Sequence, residues 1–164
     1  TADTRDASVA LIPQAIESYR EWQRAHGDTS VSAEHFDFRV VEIQREWIDP
    51  TNSDNAANAF FACDVPPLVA PELAEIRRVI AWSRADLLAS VNDLSGSALD
   101  QAVEGEWTIG GILNHTVRAE RWDLDRLGLA FPCTDLLPDR FQRLEQVRAC
   151  LLYALPSLTG LARV

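Results

Sequence analysis

The sequence contains no lysine and no methionine, and all 15 of its basic residues are arginines. Against them stand 25 acidic residues, which give a formal net charge of −10 and a pI near 4.6. This acidity argues against nucleic acid as a partner, because phosphate binding needs clustered basic side chains. No uncharged run approaches the roughly 20 apolar residues of a membrane span, and no secretory signal opens the chain. We therefore expect a cytoplasmic protein that binds neither nucleic acid nor membranes.

Cysteine is also scarce. Cys63, Cys133 and Cys150 are far apart, and neither a CxxC pair nor a metal-ligand spacing occurs among them. A small secreted scaffold would carry more cysteines, in even number. The sequence therefore predicts reduced thiols in a cytosolic protein.

Residues 1–48 are predicted to form a small helix–strand module. Apolar residues three and four apart between residues 4 and 25 indicate an amphipathic helix. Pro13 lies inside this pattern, so the regular helix either begins near Ile12 or is kinked there. In the segment 35–43, apolar and charged residues alternate with the period of a half-buried strand. One strand cannot form a sheet, so its partners are expected outside this chain or in another subunit.

Residues 49–70 are predicted to be a linker, because they hold a turn cluster and the pair Pro66-Pro67. Residues 71–164 carry three helical patterns, predicted over residues 71–92, 108–127 and 138–156, with a short helical turn at 97–103. Three amphipathic stripes favour a bundle, and short connections favour antiparallel neighbours. The expected fold is mainly α, with an antiparallel up-down bundle that a fourth helix would complete.

The clearest helix start lies at Thr108, whose hydroxyl can accept a hydrogen bond from a free backbone amide of the first turn. Trp107 and Ile112 stand where a hydrophobic staple would join them. We therefore expect Trp107 to be buried, with a cost of about 3–5 kcal/mol for Trp107→Ala. Gly110 and Gly111 lie inside the same helix, where glycine costs about 1 kcal/mol relative to alanine. They indicate either the close approach of another backbone or a ligand, or neutral variation.

Of the three histidines, His115 is the one that lies on a predicted core helix of the bundle. Bundle metal sites often pair two ligands four residues apart on one helix, but position 119 is alanine. Spacing alone therefore favours a structural histidine over a ligand. No carboxylate pair, phosphate loop, nucleophile elbow or HExxH motif offers a catalytic residue.

Residues 106–128 read EWTIGGILNHTVRAERWDLDRLG, and this segment resembles the DinB-like superfamily of bacterial four-helix-bundle metalloproteins. In that family a tryptophan and a capping hydroxyl open the second helix, and a histidine about seven residues later is the first ligand of a divalent metal. The resemblance places His115 at this ligand position. It implies zinc or nickel as the cofactor of the full-length family member.

Residues 58–64 and 82–88 are similar to the lead-in and first helix of a DinB subgroup that carries a HicB-like module. Residues 15–27 and the following strand resemble the helix–strand half of that module. The family's other two ligands come from a last helix with two histidines four apart, and no histidine follows His115 here. We expect this chain to be cut at both ends and, with one of three ligands, not to retain the metal.

Two functions of different class remain open. The resemblance implies a metal-dependent transferase or hydrolase acting on a small molecule that the sequence does not identify. The alternative is a non-catalytic binding module, or a metal-free scaffold, built from the HicB-like segment and the bundle. Bundles of this kind often form homodimers. Whether the protein is an enzyme is left open.

Overall fold

The computed structural model describes residues 4–32, 35–43, 47–49, 52–57, 61–129 and 136–160. It is mainly helical, as predicted, and divides into two compact units, Thr1–Ala62 and Cys63–Val164. The boundary between them falls inside the predicted linker, residues 49–70. The elements in chain order are α1 (Arg5–Ala25), β1 (Trp47–Asp49), β2 (Asn52–Ala57), α2 (Ala70–Val91), α3 (Gly96–Leu99), α4 (Ile109–Arg126) and α5 (Arg140–Ala154), with 3-10 turns at Ala62–Asp64 and Leu155–Leu158.

The helix of the first unit begins at the upstream end of its predicted range, residues 4–25. The Thr4 hydroxyl accepts a hydrogen bond from the Ala7 amide at 3.2 Å and so caps α1. Pro13 therefore lies inside the helix rather than in its first turn. A start near Ile12 is wrong, because a good capping residue lies further upstream.

The segment 35–43, predicted to be a strand with partners outside this chain or in another subunit, is not assigned as a strand. Within the described residues this segment forms no β-ladder, and the paired strands are instead β1 and β2. They form an antiparallel hairpin in which Trp47 pairs with Ala57 and Asp49 with Asn52. The turn cluster predicted as linker thus falls at the hairpin. Alternation of apolar and polar residues marks one buried face, but it does not supply a pairing partner.

The helices of the second unit begin close to the predicted residues, because local capping groups define their starts. Glu72 accepts a hydrogen bond from the Val69 amide at 3.0 Å, before α2. Thr108 accepts from the Gly111 amide at 2.9 Å, and Asp139 accepts from the first amides of α5. Gly128 follows α4 with φ of 69°, a conformation that glycine adopts without strain.

The core of this unit lies between α2, α3, α4 and α5. Its side chains are apolar and nearly inaccessible to solvent: Val91, Leu99, Leu113, Val117, Leu144 and Val147, with Leu87, Ile109, Leu136 and Phe141 packed around them. α4 contributes one face to this core, at residues three and four apart. The prediction of amphipathic helices in a bundle is confirmed.

The directions of the helices differ in part from the predicted up-down order. Arg143 donates to Asn114 at 3.0 Å, and Arg148 donates to Glu120. Contacts between α4 and α5 therefore advance along both chains together, so these helices run parallel. α2 runs antiparallel to both, since Arg84 reaches Glu120 and Val91 packs with Leu113.

The length of the connection explains this difference. α4 has 18 residues and is about 27 Å long. The 13 residues between α4 and α5 can span about 40 Å when extended, which is enough to return to the other end of α4. The prediction of antiparallel neighbours assumed a short connection, and that assumption does not hold here.

Candidate functional site

His115, the predicted metal ligand, lies on the exposed side of α4. Its imidazole meets the ring of Trp107 edge to face, with ring centroids 4.8 Å apart and planes at 78°. Trp107 itself is 60% exposed and Ile112 is 44% exposed. The burial predicted for Trp107, and with it the cost of 3–5 kcal/mol for Trp107→Ala, is therefore wrong. The imidazole of His115 is likewise exposed.

A stripe of apolar side chains accompanies His115 on this side of α4. Ile112 precedes it by three residues, and Ala119 and Trp122 follow at four and seven, so that all share one helical face. Trp122 is 51% exposed, and the guanidinium of Arg126 lies 4.9 Å from its ring centroid. The core-facing residues of α4 lie on the opposite side. We call Ile112, His115, Ala119 and Trp122 the outer stripe.

The residues around His115 do not by themselves fit a divalent metal. Among the residues that the structure describes, no three His, Cys, Asp or Glu side chains lie close enough to hold one ion. The other two histidines lie in the first unit, where the His26 ring bonds the Trp22 carbonyl at 2.9 Å. A single imidazole does not hold zinc or nickel firmly.

A cluster of charged side chains lies inside the bundle, one to two turns from His115 on the other face of α4. Glu120 is 8% exposed and Arg84, on α2, is 9% exposed. One Glu120 oxygen accepts from Arg84 Nη2 and from Arg148 Nη2, each at 2.5 Å, and the other accepts from Arg148 Nε at 3.2 Å. Arg148 also donates to the Ile80 carbonyl at 2.8 Å. This cluster joins α2, α4 and α5.

The cluster holds two positive charges against one negative charge. Burial lowers the pKa of Arg84, while Glu120 beside it raises that pKa again. Arg84 Nε and Nη1 are buried and have no partner within the described part of the chain. With its carboxylate oxygens taken by guanidinium groups, Glu120 has the contacts of a structural anion rather than of an acid–base catalyst.

Sequence reasoning missed the three residues of this cluster. Glu120 follows Leu113 and Val117 at the spacing of the core face of α4. This spacing could have predicted that Glu120 is buried. Nearby, burial and the negative charge of Glu120 together raise the pKa of Asp123.

Gly110 is explained by the close approach of another group. Arg140 forms a two-bond ion pair with Asp100, at 2.9 and 2.8 Å, directly over this glycine. A β-carbon at position 110 would lie 2.5 Å from Asp100 Oδ1 and would collide with Arg140 Nη1. The approaching group is a side-chain ion pair, and not the other backbone or ligand that the two glycines predicted.

We expect Gly110→Ala to displace this ion pair and raise the pKa of Asp100 toward its ordinary value. Hydrogen bonding from Arg140 holds that pKa low in the native protein. A lowered carboxyl pKa stabilises the fold above the unfolded pKa, and this contribution is lost as the pH falls through the folded pKa. The variant should accordingly be less stable than the native protein above the unfolded pKa, and this difference should shrink as the pH falls through the native folded pKa. Carboxyl NMR titration measures the change.

Gly96→Ala is the matched control, since a β-carbon there meets nothing within 4 Å. Its Asp100 should titrate as in the native protein. An unchanged Asp100 in Gly110→Ala would contradict the prediction.

An apolar groove of about 890 Å³ lies at the other end of the second unit. Leu124, Leu129, Leu152 and Tyr153 are among its lining residues, and Arg77 is the charged residue among those described. Arg77 Nη2 donates to the Leu152 carbonyl at 3.3 Å, which places the guanidinium at the wall. The groove lies about one turn from the buried charge cluster along α4 and α5.

Two further expectations concern thiols and membranes. Cys63 is exposed and free, and Cys133 lies outside the described residues. Within those residues, no helix combines the length and the apolar character that crossing a bilayer requires.

Comparison with known proteins gives the chain no relative. No family model matches it, and neither curated proteins nor solved structures give a significant match.

Proposed function

We propose that this protein is a DinB-like metal-binding bundle in which His115 supplies one ligand and the remaining ligands come from polypeptide outside the described residues. The outer stripe is the observation that supports the proposal. It places His115 among apolar side chains on a face of α4 that no described element covers. A helix that packs on this stripe would carry its own side chains to the imidazole. A cytoplasmic location belongs to the same proposal.

The activity that accompanies this class is a metal-dependent transfer or hydrolysis on a small molecule. The described residues do not hold a metal by themselves, so no reaction step is derived from them. The contribution of this chain is the imidazole, with Trp107 against its ring at 4.8 Å. A ligand histidine must be neutral and held in one orientation, and a ring contact of this kind restricts its rotation.

We expect the 164-residue chain to retain less than about 0.1 zinc or nickel ion after dialysis, since one imidazole binds weakly. A longer product of the same reading frame, if it adds a helix with His-x-x-x-His, should retain about one ion per chain. His115→Ala should abolish that retention, whereas His35→Ala, at a fully solvated site of the first unit, should not. Elemental analysis of the dialysed proteins measures both.

Tight equimolar metal in the short chain would mean that other side chains are ligands. If the longer protein still retains its metal after His115→Ala, His115 is a structural residue and not a ligand. Either result would end the proposal.

A second candidate function rests on the apolar groove. Its volume lies in the range of small-molecule sites, and Arg77 at its wall can pair with an acidic group. The proposal is a non-catalytic module that binds a molecule with an apolar body and a carboxylate.

Decanoate and decanol, tested by calorimetry, distinguish this function. Arg77→Gln should weaken decanoate binding about tenfold, because a charge-assisted hydrogen bond is lost, and leave decanol binding unchanged. Arg78→Gln, one residue away and paired with Glu75, is the control and should change neither. Equal losses for acid and alcohol would contradict a role for Arg77, and no binding of either would exclude the groove as the site.

A further inference from the structure

Residues 35–43 lie along α1 as an extended segment. The guanidinium of Arg20 is 4.8 Å from the ring centroid of Phe36. At the other end, Val40 and Ile43 share a groove with Val9 and side chains of the first turns of α1. The segment from Phe36 to Ile43 thus runs alongside the part of α1 between Val9 and Arg20, which is about 16 Å long. Covering this distance requires a largely extended backbone. The segment runs antiparallel to α1.

The two faces of this segment differ. Phe36, Phe38 and Val40 are the more covered positions, since Phe36 is half-buried and the other two are 41% and 40% exposed. Phe36, Asp37 and Phe38 line a groove with Pro13 and side chains of the following turn. On the alternate positions, the Asp37 side chain is fully exposed and Val41 is 79% exposed. The segment therefore has the two faces of a strand, one on a helix and one in solvent.

Its backbone edges are unpaired. No backbone hydrogen bond joins residues 36–41 to any residue in the described ranges. Phe38, Val40 and Ile43 nevertheless remain 41%, 40% and 53% exposed. An apolar strand with open edges is a template for pairing with another strand.

We propose that this segment pairs with the same segment of a second copy of the chain, antiparallel and about a twofold axis at Phe38. The protein would thus form a dimer through a two-stranded sheet with one copy of α1 behind each strand. A twofold contact of this kind uses the same patch on both copies.

Charge complementarity selects this register. When Phe38 faces Phe38, Asp37 of each copy stands directly opposite Arg39 of the other, which gives two attractive pairs. Phe36 then faces Val40, so the apolar residues of both strands share the face toward α1. An axis at Asp37 or at Arg39 would instead place like charges opposite each other. An axis at Val40 would set Phe38 against Glu42.

Disulfide trapping tests the register. Opposed residues in an antiparallel pair have Cα atoms about 4.5–5.5 Å apart, within the range of a disulfide. Phe38→Cys, in a background with Cys63→Ser, should therefore give a covalent dimer under mild oxidation. Val40→Cys is the matched control, because its exposure is nearly the same and the two Val40 Cα atoms would lie about 13 Å or more apart. Equal trapping of both variants, or trapping of neither, would overturn the register.

Charge exchange tests the interface without oxidation. Asp37→Arg or Arg39→Asp alone turns both attractive pairs into repulsive ones and should raise the dimer dissociation constant about tenfold or more. The double variant Asp37→Arg/Arg39→Asp restores the pairs and should restore the native value. Glu21→Arg changes the charge equally at an exposed site of α1 and should leave the constant within about twofold. Sedimentation equilibrium measures all four, and circular dichroism verifies their folding.

A native chain that stays monomeric at every accessible concentration would overturn the proposal. So would a dimer that the single charge reversals leave intact, or a double variant that fails to recover association.

Discussion

Glu120→Gln is expected to lower the free energy of unfolding by about 3–5 kcal/mol, because it removes the negative charge between the buried Arg84 and the half-buried Arg148. Arg84 and Arg148 would remain in an interior where their charges have no counterion at hydrogen-bond distance. Glutamine keeps the shape of the side chain, so the change tests charge rather than volume. Urea unfolding of the full chain measures the loss. The pKa of Asp123 should fall toward its ordinary value at the same time, since Glu120 is one cause of its elevation.

Two controls separate the cluster from surface electrostatics. Glu104→Gln removes the same charge from an exposed position before α4 and should change the unfolding free energy by less than about 0.5 kcal/mol. Replacing the whole cluster with apolar residues (Arg84→Met, Glu120→Leu and Arg148→Met together) should cost far less than Glu120→Gln, or stabilise the protein by about 1–4 kcal/mol. A small effect of Glu120→Gln would show that water reaches the arginines.

Leu113→Ala is expected to cost about 2–5 kcal/mol through a cavity in the core of the second unit. Leu113 is 1% exposed and packs among Val117, Leu144 and Val147, which come from two helices. The neighbouring side chains are themselves nearly inaccessible, so the packing can close only partly around the missing atoms. Chemical denaturation at constant pH gives the value.

Ile112→Ala and Trp107→Ala are the matched controls on the exposed side of the same helix. Their side chains are 44% and 60% exposed, so each truncation should cost less than about 1 kcal/mol in the monomer. The comparison is most informative for Trp107. Its truncation removes more atoms than that of Leu113 but is expected to cost less unfolding free energy. A cost for Trp107→Ala equal to that of Leu113→Ala would mean that Trp107 is covered in solution.

The sequence predicted the second unit well at the level of single helices. The starts of α4 and α5 lie within about one turn of their predictions, because Thr108 and Asp139 accept the first free amides of their own helices. These are interactions between residues a few positions apart. Gly128 is likewise a local signal, since its positive φ ends α4 without strain.

The site was harder to predict. Trp107 and Ile112 stand at the spacing of a staple, and that spacing says nothing of whether the pair is covered by another element. Both are exposed. The period-two pattern at residues 35–43 correctly marks two different faces, but a ladder requires a second strand that the pattern does not contain. Glu120 lies at a core position of α4, and a search for apolar core residues alone does not find it.

The helices of the second unit, their ends and their apolar faces can therefore be predicted from the sequence, because propensity, capping and periodicity are all local. The tertiary structure decided the parallel arrangement of α4 and α5 and the burial of Arg84, Glu120 and Arg148 together. It also placed the ion pair of Asp100 and Arg140 over Gly110. Each of these joins residues about 28 or more positions apart. The free energies of these interactions depend on which helix surfaces pack together, and the residue pattern within one helix does not contain that information.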